Sequence, residues 1–235
     1  MPKLTGFQIK TMAIAAMLLD HIAWAFLDLH SCWGQLLHFL GRITAPTMCF
    51  FIVQGYLHTR SVPRYFARLA VFALISHFPY VYFRSGRLTL YPFSVIYTLA
   101  LGLLAVWCWD KMRNSNWRIP ALIGIAVFST LGDWMYFIPA FCLLFYIYRR
   151  DPRQQAFGIG YIAFVIAFAQ FFGTLVSGAG IQSALLGSGY HLGIMLSIPL
   201  IRLYNGERGG GKFSKWMFYI FYPAHLFILG LILYT

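Results

Sequence analysis

Charged residues are scarce in this chain of 235 residues: they make up 10% of the sequence, whereas hydrophobic residues make up 60%. A typical globular domain carries roughly 25% charged residues and uses them to cover its surface. The composition therefore excludes a water-soluble globular protein, and so high an apolar content also excludes a disordered chain. What remains is a polytopic integral membrane protein, for which we predict an all-α bundle of membrane helices.

Cysteine pairs and metal-ligand motifs are also lacking. The four cysteines lie far apart and form no CxxC pair, which excludes a small scaffold held together by disulfides. The sequence has no HExxH motif and no repeat of histidine and carboxylate residues along one helix. We therefore predict no metal site.

Apolar runs long enough to cross a bilayer recur along the chain. A hydrocarbon core of about 30 Å requires roughly 20 apolar residues per helix. We predict long spans at 7–29, 36–57, 65–83, 91–110, 155–176, 184–204 and 214–234. Two shorter runs, 119–131 and 134–148, are separated at Gly132-Asp133 and form either two short spans or a re-entrant hairpin. We expect one transmembrane domain, 1–235, with about nine membrane segments.

The net charge of +12 has two interpretations. In a soluble chain, such an excess of Lys and Arg would indicate a face that binds nucleic acid. Here the basic residues form short clusters between apolar runs, and most of them fall on one predicted side of the membrane. Because positive loops favour the cytoplasmic side, we predict a cytoplasmic amino terminus, an outer carboxyl terminus and no nucleic-acid partner. Asp20-His21 within the first span argues against a cleaved signal peptide.

Ionisable side chains within the predicted spans are candidate functional groups, because each costs roughly 2.5–3.5 kcal/mol at the centre of a membrane helix. Asp20 and Arg42 have similar predicted depths on successive helices, so we expect them to form an ion pair. That pair would leave His21 facing a cavity, where a neutral imidazole can act as a general base. The competing interpretation of the pair is a structural contact between two helices.

The other histidines have different predicted surroundings. His225 follows Pro223, which frees a backbone carbonyl within the last span. His225 therefore either forms a hydrogen bond in the core or has a functional role. His58 ends the second span on the basic side, where it can contact an anion. We predict that His77 and His191 form hydrogen bonds within the helix bundle. His30 and His38 flank an outer loop, and we predict that both are solvated.

Basic loops on the predicted cytoplasmic side favour an anionic ligand such as a nucleotide cofactor, because guanidinium and ammonium groups bind phosphates. The residues concerned are Arg60, Arg64, Arg149, Arg150, Arg208 and Lys212. The glycines at 209–211 would allow backbone amides to approach the phosphates. For any single one of these residues, a role in setting the topology is the simpler explanation. Arg84 and Arg87 lie on the predicted outer side, against that rule, and indicate an anionic or carbonyl-bearing partner there.

Several blocks of the sequence resemble the TraX family, membrane proteins named for the acetylation of conjugative F-pilin. The blocks are 10–21 (KTMAIAAMLLDH), 41–46 (GRITAP), 55–60 (GYLHTR), 203–209 (LYNGERG) and 218–225 (FYIFYPAH). The first block is also similar to the wider transmembrane acyltransferase group, in which a basic residue precedes a histidine on the first span. Lys10 and His21 reproduce that spacing, with Lys in place of the commoner Arg.

The resemblance implies a membrane-embedded acetyltransferase that moves an acetyl group from cytoplasmic acetyl-CoA to an amine or hydroxyl. The acceptor would be a protein or sugar on the outer side of the bacterial inner membrane, such as a pilin-like amino terminus. His21 would be the general base or acetyl carrier, and the catalytic group would also include Asp20, Arg42 and His225. Acetyl-CoA would contact Lys10, His58, Arg60, Arg64, Arg208, Lys212 and Lys215. The acceptor would contact Arg84, Arg87 and His191.

Two other functions are compatible with the sequence. A transporter or channel for a small polar solute is favoured by the break at Gly132-Asp133 and by the polar layer near the predicted midplane, since both features occur in carriers. The lack of an inverted repeat argues against it. The third alternative is an assembly factor that binds a pilin-like segment without catalysing a reaction.

Overall fold

The computed structural model describes residues 3–211 and 214–235, apart from the side chain of Lys215. Over these ranges the chain is helical, and the β-type pairing found is two isolated bridges, Leu4 with Tyr204 and Phe93 with Gly132. Six segments of the described chain are long and apolar enough to cross a membrane: Gly6–Phe26, Cys32–His58, Val62–Ser85, Pro152–Val176, Ile181–Arg202 and Trp216–Tyr234. The predicted all-α fold with membrane helices is confirmed in this general form.

The helices follow one another with short connections. Their bounds are α1 (Gly6–Phe26), α2 (Cys32–Gly41), α3 (Thr44–His58), α4 (Val62–Ser85), α5 (Val95–Lys111), α6 (Arg118–Ser129), α7 (Phe137–Ile147), α8 (Pro152–Val176), α9 (Ile181–Gly189), α10 (Ser197–Arg202) and α11 (Ser214–Tyr234). A 3₁₀ segment, Tyr190–Leu196, joins α9 to α10. The two short runs predicted between the fourth and fifth spans are separate helices, α6 and α7.

Two stretches predicted as continuous spans are interrupted in the structure. The span predicted at 36–57 begins earlier, at Cys32, and consists of α2 and α3 with Arg42 and Ile43 in a turn between them. The span predicted at 184–204 consists of α9, the 3₁₀ segment and α10. Hydropathy does not reveal these interruptions, because both stretches are apolar on each side of the break.

Capping side chains explain where several helices begin. Thr5 forms a capping box at the start of α1, and Ser31 accepts a hydrogen bond from a backbone N–H in the first turn of α2. Ser61 and Asp151 do the same for α4 and α8. These oxygens satisfy backbone donors that have no partner within their own helix.

The chain forms two compact units. The first consists of Met1–Met48 and Arg150–Lys212, and the second consists of Cys49–Arg149 and Phe213–Thr235. The single domain expected over 1–235 stays a prediction.

In the first unit, α1 packs against α2, while α8 packs against α9 and the 3₁₀ segment. Backbone hydrogen bonds tie the start of α1 to the loop that follows α10. They run from Leu4 N to Leu203 O (2.7 Å), from Gly6 N to Glu207 O (2.8 Å) and from Phe7 N to Arg208 O (2.8 Å). The loop is therefore held against the amino-terminal end of α1.

In the second unit, α4 packs against α11 and α5, and α5 packs against α6 and α7. Leu103 and Val106 of α5 and Phe141 and Phe145 of α7 are buried in the core. An apolar interior of this kind contributes roughly 1.5–3 kcal/mol for each large side chain that it buries from water.

The helix α8 presents a row of large aromatic side chains on its surface. Phe157, Tyr161, Phe164, Phe168 and Phe172 recur every three or four residues, and each is more than half exposed. Such a row on a helix of 25 residues, about 37 Å long at 1.5 Å per residue, is unusual in contact with water. It fits a helix surrounded by lipid.

Candidate functional site

In the first unit, α2 packs against α1, and the 3₁₀ segment packs against α2. At Gly41, α2 lies so close to α1 that a Cβ atom added there would be 2.3 Å from the Cβ of Asp20. The 3₁₀ segment approaches α2 equally closely at Gly193, where an added Cβ would be 1.9 Å from the carbonyl oxygen of Phe39. Any larger residue at either glycine would force these segments apart. The two glycines therefore allow three elements to place polar side chains in one cluster.

Asp20 is the centre of that group, which we call the Asp20 cluster (Asp20, His38 and Arg42). Its Oδ2 accepts a hydrogen bond from Nη2 of Arg42 at 2.6 Å, and its Oδ1 lies 2.8 Å from Nδ1 of His38. Asp20 and Arg42 are each 8% exposed, and His38 is 0% exposed. The ion pair expected between Asp20 and Arg42 is present, and it compensates the charge of a buried carboxylate.

The prediction that His38 is solvated is wrong. A span that begins at residue 36 places His38 close to its outer end, but α2 begins at Cys32 and holds His38 within the helix, where its side chain is buried. His38 and Arg42 are four residues apart and share one helix face, which Gly41 brings against α1. The signal that could have identified His38 is this spacing of two polar residues within an apolar segment. His30, by contrast, is exposed as predicted.

The hydrogen bonds determine the tautomer of His38. Because a carboxylate only accepts hydrogen bonds, the imidazole nitrogen that faces Asp20 must be the donor. The proton of His38 is therefore on Nδ1, which donates a hydrogen bond to Asp20. Arg42 already supplies the positive charge that compensates Asp20, so a neutral imidazole leaves the cluster electrically neutral. The lone pair is then on Nε2, a buried atom with no hydrogen-bond partner among the residues that the structure describes.

Aromatic rings line the Asp20 cluster. The Trp24 ring centroid is 4.5 Å from that of His38, and the Tyr190 ring centroid is 5.4 Å from His38 and 5.3 Å from the Arg42 guanidinium. His191 packs on Tyr190 at a centroid separation of 4.3 Å. Its Nδ1 is also buried without a partner in the described part of the chain, so the hydrogen bond predicted for this residue is not seen at that atom.

His21 lies beside the Asp20 cluster on α1 and is half-buried. Successive residues of an α-helix point about 100° apart, so His21 and Asp20 face different directions. His21 interacts with the Asp20 carboxylate electrostatically, while His38 and Arg42 make the close contacts to its two oxygens.

Comparison with known sequences identifies the family to which this chain belongs. The family described as "TraX protein" matches residues 5–233 of the chain. The chain belongs to the TraX family. It is 30% identical over 236 residues to a Dichelobacter nodosus protein described as "Probable fimbrial assembly protein FimC, serogroup H1", covering 96% of this chain and 94% of that protein. No solved structure matches the chain. The family resemblance predicted from the sequence blocks is confirmed.

The block of this TraX family member that begins at Lys10 lies beside the loop that carries Arg208. The backbone bond from Phe7 places Arg208 at the first turn of α1, and the charges of Lys10 and Arg208 repel each other. Two neighbouring cations near the start of a helix favour an anion. The predictions for Lys212 and for the side chain of Lys215 lie outside the described residues. Among the described residues, no group of three or more His, Cys, Asp and Glu could hold a metal ion.

Three histidines of the second unit contact backbone carbonyls. Nδ1 of the buried His225 lies 2.8 Å from the carbonyl oxygen of Phe221, one turn earlier in α11. The exposed His58 makes the equivalent contact to Gln54, also at 2.8 Å. His77 Nε2 lies 3.0 Å from the carbonyl oxygen of Thr89, which confirms its predicted hydrogen bond.

The arginines predicted as ligand contacts in the second unit are on its surface. Arg84 donates to the Tyr80 hydroxyl at 3.3 Å. The side chains of Arg60, Arg64, Arg84 and Arg87 are all exposed. Exposure of this kind suits both a role in ligand binding and a role in setting the topology, so their binding roles stay predictions.

A second carboxylate group, which the sequence did not reveal, lies in the second unit. We call it the Asp110 cluster (Tyr56, Asp110, Lys111 and Tyr146). The Tyr56 hydroxyl donates to Oδ2 of Asp110 at 2.6 Å, and the Tyr146 hydroxyl donates to Oδ1 at 2.5 Å. Nζ of Lys111 lies 3.0 Å from Oδ2. These contacts connect α3, α5 and α7.

Proposed function

We propose that this protein is a membrane-embedded acetyltransferase that acts in the assembly of a pilus or fimbria. It transfers an acetyl group from acetyl-CoA to an amine, or a hydroxyl, of a pilin-like acceptor. Membership of the TraX family and a relative named as a probable fimbrial assembly protein support the biological setting. The observation that carries the chemistry is the Asp20 cluster, in which a buried carboxylate contacts both an imidazole and a guanidinium.

Acyl transfer makes two demands that this cluster can meet. A base has to remove a proton from the attacking nucleophile, and a donor has to stabilise the negative oxygen of the tetrahedral intermediate. Imidazoles are present at His38 and His21, and Arg42 supplies a guanidinium beside them. His225 lies in the second unit, and the catalytic role that the family resemblance implies for it stays a prediction. Removal of one good donor of this kind costs about 3 kcal/mol of transition-state stabilisation.

The proposed site for the phosphates of acetyl-CoA is the start of α1. Lys10 and Arg208 repel each other there, and a bound phosphate would relieve that repulsion. Lys10 and Asp20 are about 15 Å apart along α1 at 1.5 Å per residue, a distance that an extended pantetheine arm can span. The contacts to acetyl-CoA expected from the sequence at His58, Arg60, Arg64, Lys212 and Lys215 stay predictions.

The proposed setting is the bacterial inner membrane, with the amino terminus in the cytoplasm and the carboxyl terminus outside. The basic loops support this orientation, because Lys and Arg concentrate on the cytoplasmic side of membrane proteins. Acetyl-CoA would then bind from the cytoplasm. Arg84 and Arg87 would face the outer side. The contacts with a protein or sugar acceptor expected from the sequence for these arginines, and separately for His191, stay predictions.

The direct test is acetyl transfer by the purified protein in proteoliposomes. Radiolabelled acetyl-CoA would be supplied with a purified pilin-like subunit, and the label would be located by peptide mass spectrometry. We expect acetylation of an amine that depends on the protein. If correctly folded protein neither binds acetyl-CoA nor transfers the label, the proposed function is wrong.

A narrower test concerns the phosphate site. Arg208→Ala should weaken acetyl-CoA binding about 10- to 150-fold, because the loss of a hydrogen bond to a charged group costs roughly 1.5–3 kcal/mol. Isothermal titration calorimetry would measure the dissociation constant. The matched control is Arg113→Ala, an exposed arginine in the loop after α5, which should bind acetyl-CoA as the wild type does. Equal affinities of all three proteins would remove Arg208 from the site.

A transporter for a small polar solute is the second candidate. The observation that favours it is the pair of interrupted segments, α2–α3 and α9–α10, which place polar side chains where the helices are broken. Broken helices with polar groups are typical of secondary transporters. Solute flux into proteoliposomes in the absence of acetyl-CoA would support this function, whereas transfer without flux would exclude it.

A further inference from the structure

The structure assigns to His38, a residue outside the family's opening motif, a specific chemical task. We propose that Nε2 of His38 accepts the proton of the acceptor nucleophile, while Asp20 positions the imidazole and Arg42 compensates the carboxylate. The inference rests on the proposed acetyltransferase function. It transfers the role of general base from His21, where the resemblance places it, to a residue contributed by α2.

The first argument is the bonding of the carboxylate. Each oxygen of Asp20 has one close partner, His38 for Oδ1 and Arg42 for Oδ2. A carboxylate bonded to Nδ1–H holds an imidazole in one orientation and stabilises the cation that forms when Nε2 takes a proton. His38, which contacts Asp20, is buried, whereas His30, which lies beside Asp28, is exposed.

The second argument is the bonding state of Nε2. Buried polar atoms in proteins nearly always have a hydrogen-bond partner, yet Nε2 of His38 has none within the described residues. His38 itself is 0% exposed, so bulk solvent does not satisfy this nitrogen. An N–H or O–H group of a bound molecule would complete its bonding. A basic nitrogen without a partner at the centre of a buried cluster is the arrangement that a general base requires before its substrate binds.

The third argument is access to the buried nitrogen. The ring of Trp24 packs against His38 and is itself 49% exposed, so it separates the imidazole from the surface of the unit. Rotation of this one side chain would open a path to Nε2. Tyr190, on the other hand, is buried and contacts both His38 and Arg42, so it does not offer such a path.

The group-transfer step can be written with its atoms balanced. The nitrogen of a neutral amine attacks the carbonyl carbon of the acetyl thioester and forms a C–N bond, while its proton passes to Nε2 of His38. The tetrahedral intermediate collapses with cleavage of the C–S bond. The proton on His38 then passes to the departing thiolate, so that amide and free CoA thiol are the products and the histidine is neutral again.

The decisive variants are His38→Asn and His38→Ala, assayed with acetyl-CoA and a pilin-like amine substrate. Asn retains an N–H that can donate to Asp20 in place of Nδ1, but it has no basic nitrogen in place of Nε2. We expect kcat to fall about 10²–10⁴-fold in both variants, with the dissociation constant for acetyl-CoA unchanged. Added imidazole should restore part of the activity of His38→Ala, because the deleted ring leaves a cavity of its own shape. A residue needed only for packing would not show this rescue.

Two further variants sharpen the test. Asp20→Asn should lower kcat by a similar factor, because the carboxylate no longer selects the Nδ1–H tautomer. His30→Ala, which replaces an exposed histidine of the same unit, is the control and should behave as the wild type does.

The outcomes separate this inference from the function on which it rests. If wild-type protein binds no acetyl-CoA and transfers no acetyl group, the proposed function fails and the inference falls with it. If the wild type is active and folded His38→Asn retains full activity, the inference alone is overturned. Rescue of His21→Ala by imidazole, without rescue of His38→Ala, would return the role of base to His21.

Discussion

Asp20 and Asp110 are both carboxylates with a partner on each oxygen, but they differ in what those partners can still do. Asp20, in the first unit, contacts an imidazole and a guanidinium, whereas Asp110, in the second, accepts hydrogen bonds from two tyrosine hydroxyls. A tyrosine hydroxyl that donates a hydrogen bond to a carboxylate has no strongly basic atom that could accept a proton from a substrate. An imidazole that donates through Nδ1 retains a basic lone pair on Nε2.

The comparison shows that the partners, more than the carboxylate itself, determine what each cluster can do. In the Asp110 cluster, side chains from three helices meet at the two oxygens of one carboxylate. This arrangement is typical of a structural contact that holds helices together. In the Asp20 cluster, the buried Nε2 of His38 has no hydrogen-bond partner among the described residues, as expected of a reactive group. The following variants test this distinction, from the largest expected effect to the smallest.

Removal of the cation beside Asp20 should have the largest effect. Arg42→Ala leaves a buried carboxylate without its counter-charge, which typically destabilises a protein by about 3–5 kcal/mol. Acetyl transfer should also be lost. Denaturant-induced unfolding in detergent, monitored by tryptophan fluorescence, would measure the stability. The control is the double variant Asp20→Asn/Arg42→Gln, which removes both charges and should regain most of the stability without the activity. A stable and active Arg42→Ala protein would contradict the role assigned to the pair.

Widening the gap between α1 and α2 should have an intermediate effect. In Gly41→Ala the new Cβ would overlap with Asp20, and relief of such overpacking typically costs about 1–3 kcal/mol. The displacement should also lower the rate of acetyl transfer, because it moves His38 and Arg42 relative to Asp20. Gly173→Ala on α8 is the matched control, since an added Cβ there meets no atom within 4 Å. Equal unfolding midpoints and rates for the two variants would show that the close contact at Gly41 is unimportant.

Changes to the Asp110 cluster should have the smallest effect. Asp110→Asn weakens the hydrogen bonds from Tyr56 and Tyr146, each of which is worth about 1 kcal/mol. We expect a lower unfolding midpoint but an unchanged rate of acetyl transfer per folded molecule. Asp28→Asn, at an exposed loop residue, should change neither quantity. Loss of transfer in stable Asp110→Asn protein would mean that both clusters take part in the chemistry, and the distinction between them would fail.

Much of the architecture could be predicted from local sequence. Six of the seven long spans predicted from the apolar runs correspond to segments of the described chain that are long enough to cross a membrane, because hydropathy depends only on neighbouring residues. The span predicted at 91–110 corresponds to α5, Val95–Lys111, which is not among these six. The pairing of Asp20 with Arg42 followed from equal depth on successive helices and from the cost of an isolated charge in an apolar environment. The family blocks at both ends of the chain identified TraX.

The errors came from features that local hydropathy does not record. The turn at Arg42 and Ile43 lies within an apolar stretch and was therefore not predicted. The predicted span began at residue 36 instead of Cys32, which placed His38 at its outer end and led to the wrong expectation that His38 is solvated. The Asp110 cluster joins residues separated by 54 and 36 positions in the sequence, and no spacing rule connects them.

The sequence by itself determined the class of protein, its membrane segments and its family, because each depends on composition or on contiguous residues. Only the tertiary structure decided which side chains surround each carboxylate. Gly41 and Gly193 allow three chain segments to approach so closely that His38, Arg42 and Tyr190 meet beside Asp20. That meeting depends on packing between distant segments, and it leaves a histidine that looked peripheral in the sequence at the centre of the proposed chemistry.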